Sequence, residues 1–133
     1  MIFVDTSVWI DYFNCTDTAA TYRLDTALQG EAVVIGDLVL LEILQGFRRE
    51  ADYQQAKLLL QHLAIYDLLG RDAVEEYARY FRILRKRGIT IRKTADVIIA
   101  GFCIVNRIPL LFEDKDFRPF VKHLGLRSVL QAA

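Results

Sequence analysis

Ile2–Asp11 reads IFVDTSVWID, and the architecture follows from how these ten residues divide. Ile2, Phe3 and Val4 are β-branched or aromatic and form an unbroken apolar run. Such a run predicts a short strand covered on both faces. Asp5 then stands at the strand's carboxyl end. Thr6 and Ser7 follow, with Ser7 placed to cap a helix running through Trp9 toward Phe13. An α/β sheet opens its ligand crevice at strand carboxyl ends, so Asp5 occupies the position where chemistry is expected.

Outward from this unit, strands and helices alternate. Asp17–Leu28 reads as a helix with Gly30 as its stop, and Ala32–Ile35 as a strand. Asp37 caps a helix to about Arg48, and Asp52–Leu63 is a further amphipathic helix. Ala64–Asp67 has strand character. Arg71–Arg87 is a long helix ended by Gly88, and Thr94 caps another that runs to Asn106. Pro109 precedes a strand at Leu110–Phe112, and Glu113–Asp116 is a polar turn. Phe117–His123 reads as a short helix and Leu126–Leu130 as a last strand. The expected class is α/β, a three-layer domain with a short-stranded parallel central sheet flanked by helices. Residues 1–133 are expected to form one domain, since no linker or repeat interrupts them.

An apolar fraction of 53% argues against disorder. The 17 basic and 17 acidic residues cancel, so a nucleic-acid surface has to come from charge distribution rather than bulk charge. Cys15 and Cys103 form no ligand pattern and are expected to be reduced thiols. Asp5 interrupts the apolar N-terminus, which argues against a signal peptide. The longest uncharged apolar run, Val97–Val105, falls short of the ~20 residues of a membrane span. A cytoplasmic protein without membrane association is expected.

Four acids stand in apolar company. Glu42 is the only charge in LVLLEIL (Leu38–Leu44), a helix expected to be buried on most faces. Asp96 is the only charge in TADVIIAGFCIVN (Thr94–Asn106), in the helix's first turn, where the dipole favours an ionised carboxylate. The strand Leu110–Phe112 runs straight into Glu113, Asp114, Lys115 and Asp116. Singly, each acid also reads as a turn former or a helix-end charge. Jointly, like charges converging on a crevice repel one another unless a cation neutralises them. The donors are oxygens only, without His or Cys, which selects a hard cation such as Mg²⁺ or Mn²⁺ over zinc. Such a pocket suits phosphoryl chemistry.

The ordered set DTSVWID, LVLLEILQGF, TADVIIA and LLFEDKDF resembles the PIN-domain ribonucleases, and most of all the VapC-type toxins of toxin–antitoxin pairs. The resemblance spans nearly the whole chain. It implies an endoribonuclease that hydrolyses RNA phosphodiesters with metal-activated water, leaving 5′-phosphate and 3′-hydroxyl ends. It implies Asp5, Glu42, Asp96 and Asp114 as catalytic acids, with one or two Mg²⁺ or Mn²⁺ ions held by Asp5, Asp96, Asp114 and Asp116. Thr6 matches a hydroxyl position that supports the first aspartate and borders the substrate. Glu113 departs from the pattern, because relatives often carry a small or neutral polar residue there. A VapB-type antitoxin that blocks the pocket, and a homodimer, are implied partners.

Basic residues concentrate before Asp96: Arg79, Arg82, Arg85, Lys86, Arg87, Arg92 and Lys93. Arg79, Arg82 and Lys86 share a helix face that also reads as ordinary solvated surface. Arg92 and Lys93 flank the acidic helix start and are candidates to hold a substrate phosphate. Arg48, Arg49, Lys115 and Arg118 adjoin motif acids more loosely. His62 and His123 lie outside the motifs. Trp9 and Phe13, spaced i, i+4, read as core or a dimer face. Tyr77, Tyr80 and Phe81 read as core or an oligomer seam before base stacking. The rival functions are a catalytically silent RNA-binding module of the same fold, a nuclease acting on DNA, and an aspartate-based phosphatase. Ser7 stands where such a phosphatase needs a second aspartate.

Overall fold

Four short parallel strands, wrapped by seven α-helices, make up the computed structural model of the protein, which describes residues 1–130. The order is β1 (Ile2–Val4), α1 (Thr6–Phe13), α2 (Ala19–Gly30), β2 (Val33–Gly36), α3 (Asp37–Gln45) and α4 (Glu50–Leu60). Then come β3 (Ala64–Tyr66), α5 (Arg71–Lys86), α6 (Thr94–Asn106), β4 (Leu110–Leu111), a 3₁₀ turn at Lys115–Phe117 and α7 (Arg118–Leu124). The sheet runs β3-β2-β1-β4, all pairs parallel, with Phe3 in register with Val34 on one side and Leu110 on the other. Strand order therefore reverses between β1 and β4. Asp5 closes β1 at that switch point, and the turn carrying Asp114 follows β4 there.

Every residue of β1 and β2 is buried, as continuous apolar strands require when both sheet faces are covered. Phe3 packs on Phe102 of α6, with ring centroids 5.8 Å apart. Trp9 is fully buried in the core and stacks on the partly buried Phe13. Helix α5 buries Tyr77, Tyr80 and Leu84, and the Tyr77 hydroxyl donates to the Leu68 carbonyl at 2.9 Å. Its ring lies against Gly101 of α6, where an added Cβ would sit 2.4 Å from a ring carbon. Among the described residues no helix is long and apolar enough to cross a membrane.

Several expected boundaries shift. Asp5, not Ser7, takes the N-cap position of α1, and Lys93, not Thr94, that of α6. Gly36 precedes α3, whose first residue Asp37 accepts from the Leu38 and Leu68 amides at 2.7 and 3.1 Å. That helix stops at Gln45, well short of Arg48, and α4 begins earlier and ends earlier than expected. Gly30 is the last residue of α2 rather than a stop beyond it. Only Val39 and Ile43 of α3 are buried, and Leu41 is 58% exposed, so α3 lies on the surface instead of inside. The expected last strand at Leu126–Leu130 is reduced to one parallel bridge, Leu110 to Ser128, because β4 offers only two residues to pair with.

The α5–α6 contact makes Gly101→Ala a sharp test of this packing. The methyl group has to displace a buried ring whose hydroxyl is already bonded. We expect a loss of about 1–3 kcal/mol in urea unfolding, and unchanged stability would contradict the contact.

Candidate active site

Asp5 is buried at the end of β1, and its amide donates to the Leu111 carbonyl at 3.0 Å, which ties the β1 and β4 ends together. Its Oδ2 accepts from the Ser7 hydroxyl at 2.6 Å. Burial pushes the Asp5 carboxyl up, Ser7 and the Thr6 and Ser7 amides pull it down, and Asp114 pushes it up again. Thr6 was expected to support this aspartate through its hydroxyl. That hydroxyl instead donates to Glu42 Oε1 at 2.8 Å, and only the Thr6 amide serves Asp5. Ser7 is thus the supporting residue that sequence reasoning missed. The signal available was a second hydroxyl two residues beyond Asp5.

Asp96 lies in the first turn of α6 and is buried, with Oδ2 unpartnered among the described residues. Its carboxyl is pushed up to about 6, first by burial, then by the charge of Asp5, with Lys93 opposing and Asp114 and Asp116 adding to the rise. Asp114 caps the 3₁₀ turn by accepting from the Asp116 amide at 2.9 Å. Asp116 accepts from the Arg92 guanidinium at 3.0 Å. Carboxylate oxygens of Asp96, Asp114 and Asp116 all lie within 4.8 Å of one another. This trio is formed by two elements only, the start of α6 and the turn after β4.

The expected site residues therefore divide. Asp96, Asp114 and Asp116 converge. Asp5 lies outside that trio yet close enough to shift Asp96 by its charge. Glu42 reaches the same end of the sheet through Thr6. Glu113 turns away: its carboxylate accepts from the Ala20 amide at 3.2 Å, at the start of α2. The extra acid is a helix-end cap, favoured there by the helix dipole, and the metal question narrows to the aspartates. Arg92 pairs with an acid of the trio, and Lys93 occupies the α6 cap position. Two of the α5 cations are engaged elsewhere, Arg79 with Glu76 and Arg85 over the Phe81 ring.

The trio fits a divalent cation. Three carboxylates share one small volume, and a buried carboxylate oxygen, Asp96 Oδ2, has no donor to satisfy it. The donors are oxygens throughout, the ligand type of Mg²⁺ and Mn²⁺ rather than of zinc.

Comparison with known proteins gives the family. The PIN domain pattern matches residues 2–121. Ribonuclease VapC11 of Mycobacterium tuberculosis is 28% identical over 130 residues, covering 96% of this chain and 97% of its own. Ribonuclease VapC1 of Methanocaldococcus jannaschii is 30% identical over 128 residues, covering 95% and 85%. Among solved structures, a chain of VapBC2 from Rickettsia felis bound to a promoter DNA fragment superposes with TM-score 0.75 at 20% identity, covering 96% and 97%. A chain of a toxin–antitoxin complex from Klebsiella pneumoniae gives 0.71 at 17%, covering 99% and 100%. The match over residues 2–121 and the likeness to the archaeal ribonuclease place this chain in the PIN-domain family, among the VapC-type ribonucleases.

Proposed function

We infer that this chain is a single-domain, Mg²⁺- or Mn²⁺-dependent endoribonuclease, the toxin of a type II toxin–antitoxin pair. The observation that carries the reading is the convergence of Asp96, Asp114 and Asp116 around an unsatisfied buried oxygen at the sheet's switch point. When bound, a divalent ion supplies charge neutralisation and polarises a phosphodiester and its attacking water.

The chain's own residues do the rest. Asp96, Asp114 and Asp116 provide the ligand oxygens, and Asp5 adds negative charge for a second ion or an outer ligand. The Ser7 hydroxyl and the Thr6 amide donate to Asp5 and offset part of the effect of its burial. Thr6 orients Glu42, a carboxylate free to accept a proton from water at the edge of the site. Arg92 and Lys93 offer charge to a substrate phosphate. Hydrolysis of this kind leaves 5′-phosphate and 3′-hydroxyl ends and does not use the RNA 2′-hydroxyl.

The partner reading is supported by the two solved complexes named above. It is also supported by an apolar surface that a monomer would leave wet: Leu41 and Leu69 are exposed beside a cavity lined by Leu38 and Ile98. A VapB-type antitoxin and a second copy of the chain both have surface to bind.

Purified protein should cut RNA with Mg²⁺ or Mn²⁺, and EDTA should abolish cutting. Asp96→Asn should slow it by about 10²-fold or more. Cutting that survives both, or a 2′,3′-cyclic phosphate product, would refute the reading. RNA binding without turnover would favour a silent module.

The site electrostatics also set a stability effect. The raised Asp96 carboxyl favours the fold in its protonated form below its unfolded value of 3.8, and this contribution is lost as pH rises through about 6. In EDTA at pH 7, Asp96→Asn should therefore be more stable than the parent by about 1–3 kcal/mol. That advantage should shrink as pH falls from about 6 to about 4. A difference that does not vary with pH would contradict the assigned burial.

A further inference from the structure

Beside the acidic trio lies an open cavity of about 500 Å³, bordered by the Ile89–Ile91 loop, the 3₁₀ turn and α7. Lys115, Arg118, Lys122 and His123 line it, and Asp116 is the only acid among its lining residues. Arg118 and Lys122 stand i, i+4 on α7, so they share one helix face. All three cations are exposed, and among the described residues none of them forms an ion pair. No acidic residue occurs anywhere after Asp116 in the chain. The wall is braced from behind by Arg87, whose guanidinium lies 2.7 Å from His123 Nδ1. Burial, then the charges of Arg87 and Lys122, hold His123 below the usual histidine range. The imidazole, in contact with Arg87, completes the wall.

A protein of zero net charge that collects unpaired cations in one cavity has a strongly local field there. We propose that this cavity is the track along which single-stranded RNA leaves the acidic centre, with Lys115, Arg118 and Lys122 holding the phosphates that flank the cut. The inference rests on the nuclease reading and extends it. Asp116 belongs to both the trio and the cavity, so the two are continuous. A phosphodiester held at the acids has a neighbouring phosphate on each side, and the cavity offers cations where one of these must pass. Contacts of this kind position the backbone without reading bases. Arg92, paired with Asp116 across the junction, marks the boundary between acidic and basic halves.

The test uses the whole chain carrying Asp96→Asn, which slows cutting, in Mg²⁺ with a labelled single-stranded RNA oligomer. Binding is followed by fluorescence anisotropy over a series of KCl concentrations. Adding Arg118→Gln and Lys122→Gln together should weaken binding at low salt. It should also reduce the slope of log K against log salt by about 1.4, since each phosphate contact on a single strand contributes about 0.7. Lys57→Gln with Arg71→Gln removes the same charge outside the cavity and should leave the slope unchanged. Thermal unfolding and Mn²⁺ affinity, expected to match the Asp96→Asn background, exclude misfolding as the cause. An unchanged slope in the groove variant, with RNA still bound, overturns the track and leaves the nuclease reading standing. Loss of poly-glutamate binding in that variant, with RNA binding intact, also overturns it and assigns the cavity to an acidic protein segment. Failure of the background protein to bind RNA at any salt overturns both readings.

Discussion

Carboxylate repulsion is the constraint around which this molecule is arranged. Asp5, Asp96, Asp114 and Asp116 are delivered to one end of the sheet by β1, α6 and the turn after β4. Burying carboxylates costs free energy and gathering like charges adds to it, and the raised Asp5 and Asp96 carboxyls record both, burial first. The fold tolerates the arrangement because three of these four acids have a local support. Ser7 donates to Asp5, the Asp116 amide to Asp114, and Arg92 to Asp116. Asp96 has a buried carboxylate oxygen without a donor among the described residues, and that gap is where an external cation is most needed.

The scaffold explains why the acids meet there and nowhere else. The sheet order β3-β2-β1-β4 reverses direction at β1, so the connections that leave the carboxyl ends of β1 and β4 run apart and open a crevice. The Asp5 amide and the Leu111 carbonyl pin the two sides of it. Helix α6, buried over most of its length, aims its first turn into the same opening, and Gly101 allows it to sit close against Tyr77. Function thus depends on packing well away from the acids.

Much of this was readable in the sequence because lone acids in apolar segments are conspicuous. Asp96 in TADVIIAGFCIVN and Asp5 after IFV stand out by contrast, and alternating elements announced the parallel sheet. What could not be read were contacts made across long separations or decided by one residue of helix phase. Glu113 stood out only as an extra acid beside Asp114, and its partner is the distant Ala20 amide at the start of α2. Thr6 and Ser7 differ by one position, and the start of α1 at Thr6 turns one hydroxyl to Glu42 and the other to Asp5. The apolar run of α3 suggested a buried helix, but apolar content does not say which face meets the core, and Leu41 points outward. The basic cavity was hidden for the same reason, since Lys122 and His123 approach the acidic turn only through the fold of α7.

The most direct test is Mn²⁺ binding followed by electron paramagnetic resonance, comparing the parent protein with an Asp96→Asn/Asp114→Asn variant shown to be folded. Free Mn²⁺ signal should fall on adding the parent and remain nearly undiminished with the variant, because the trio loses two of its three charged ligands. Equal binding by both proteins, or none by either, would contradict a divalent site built from Asp96, Asp114 and Asp116.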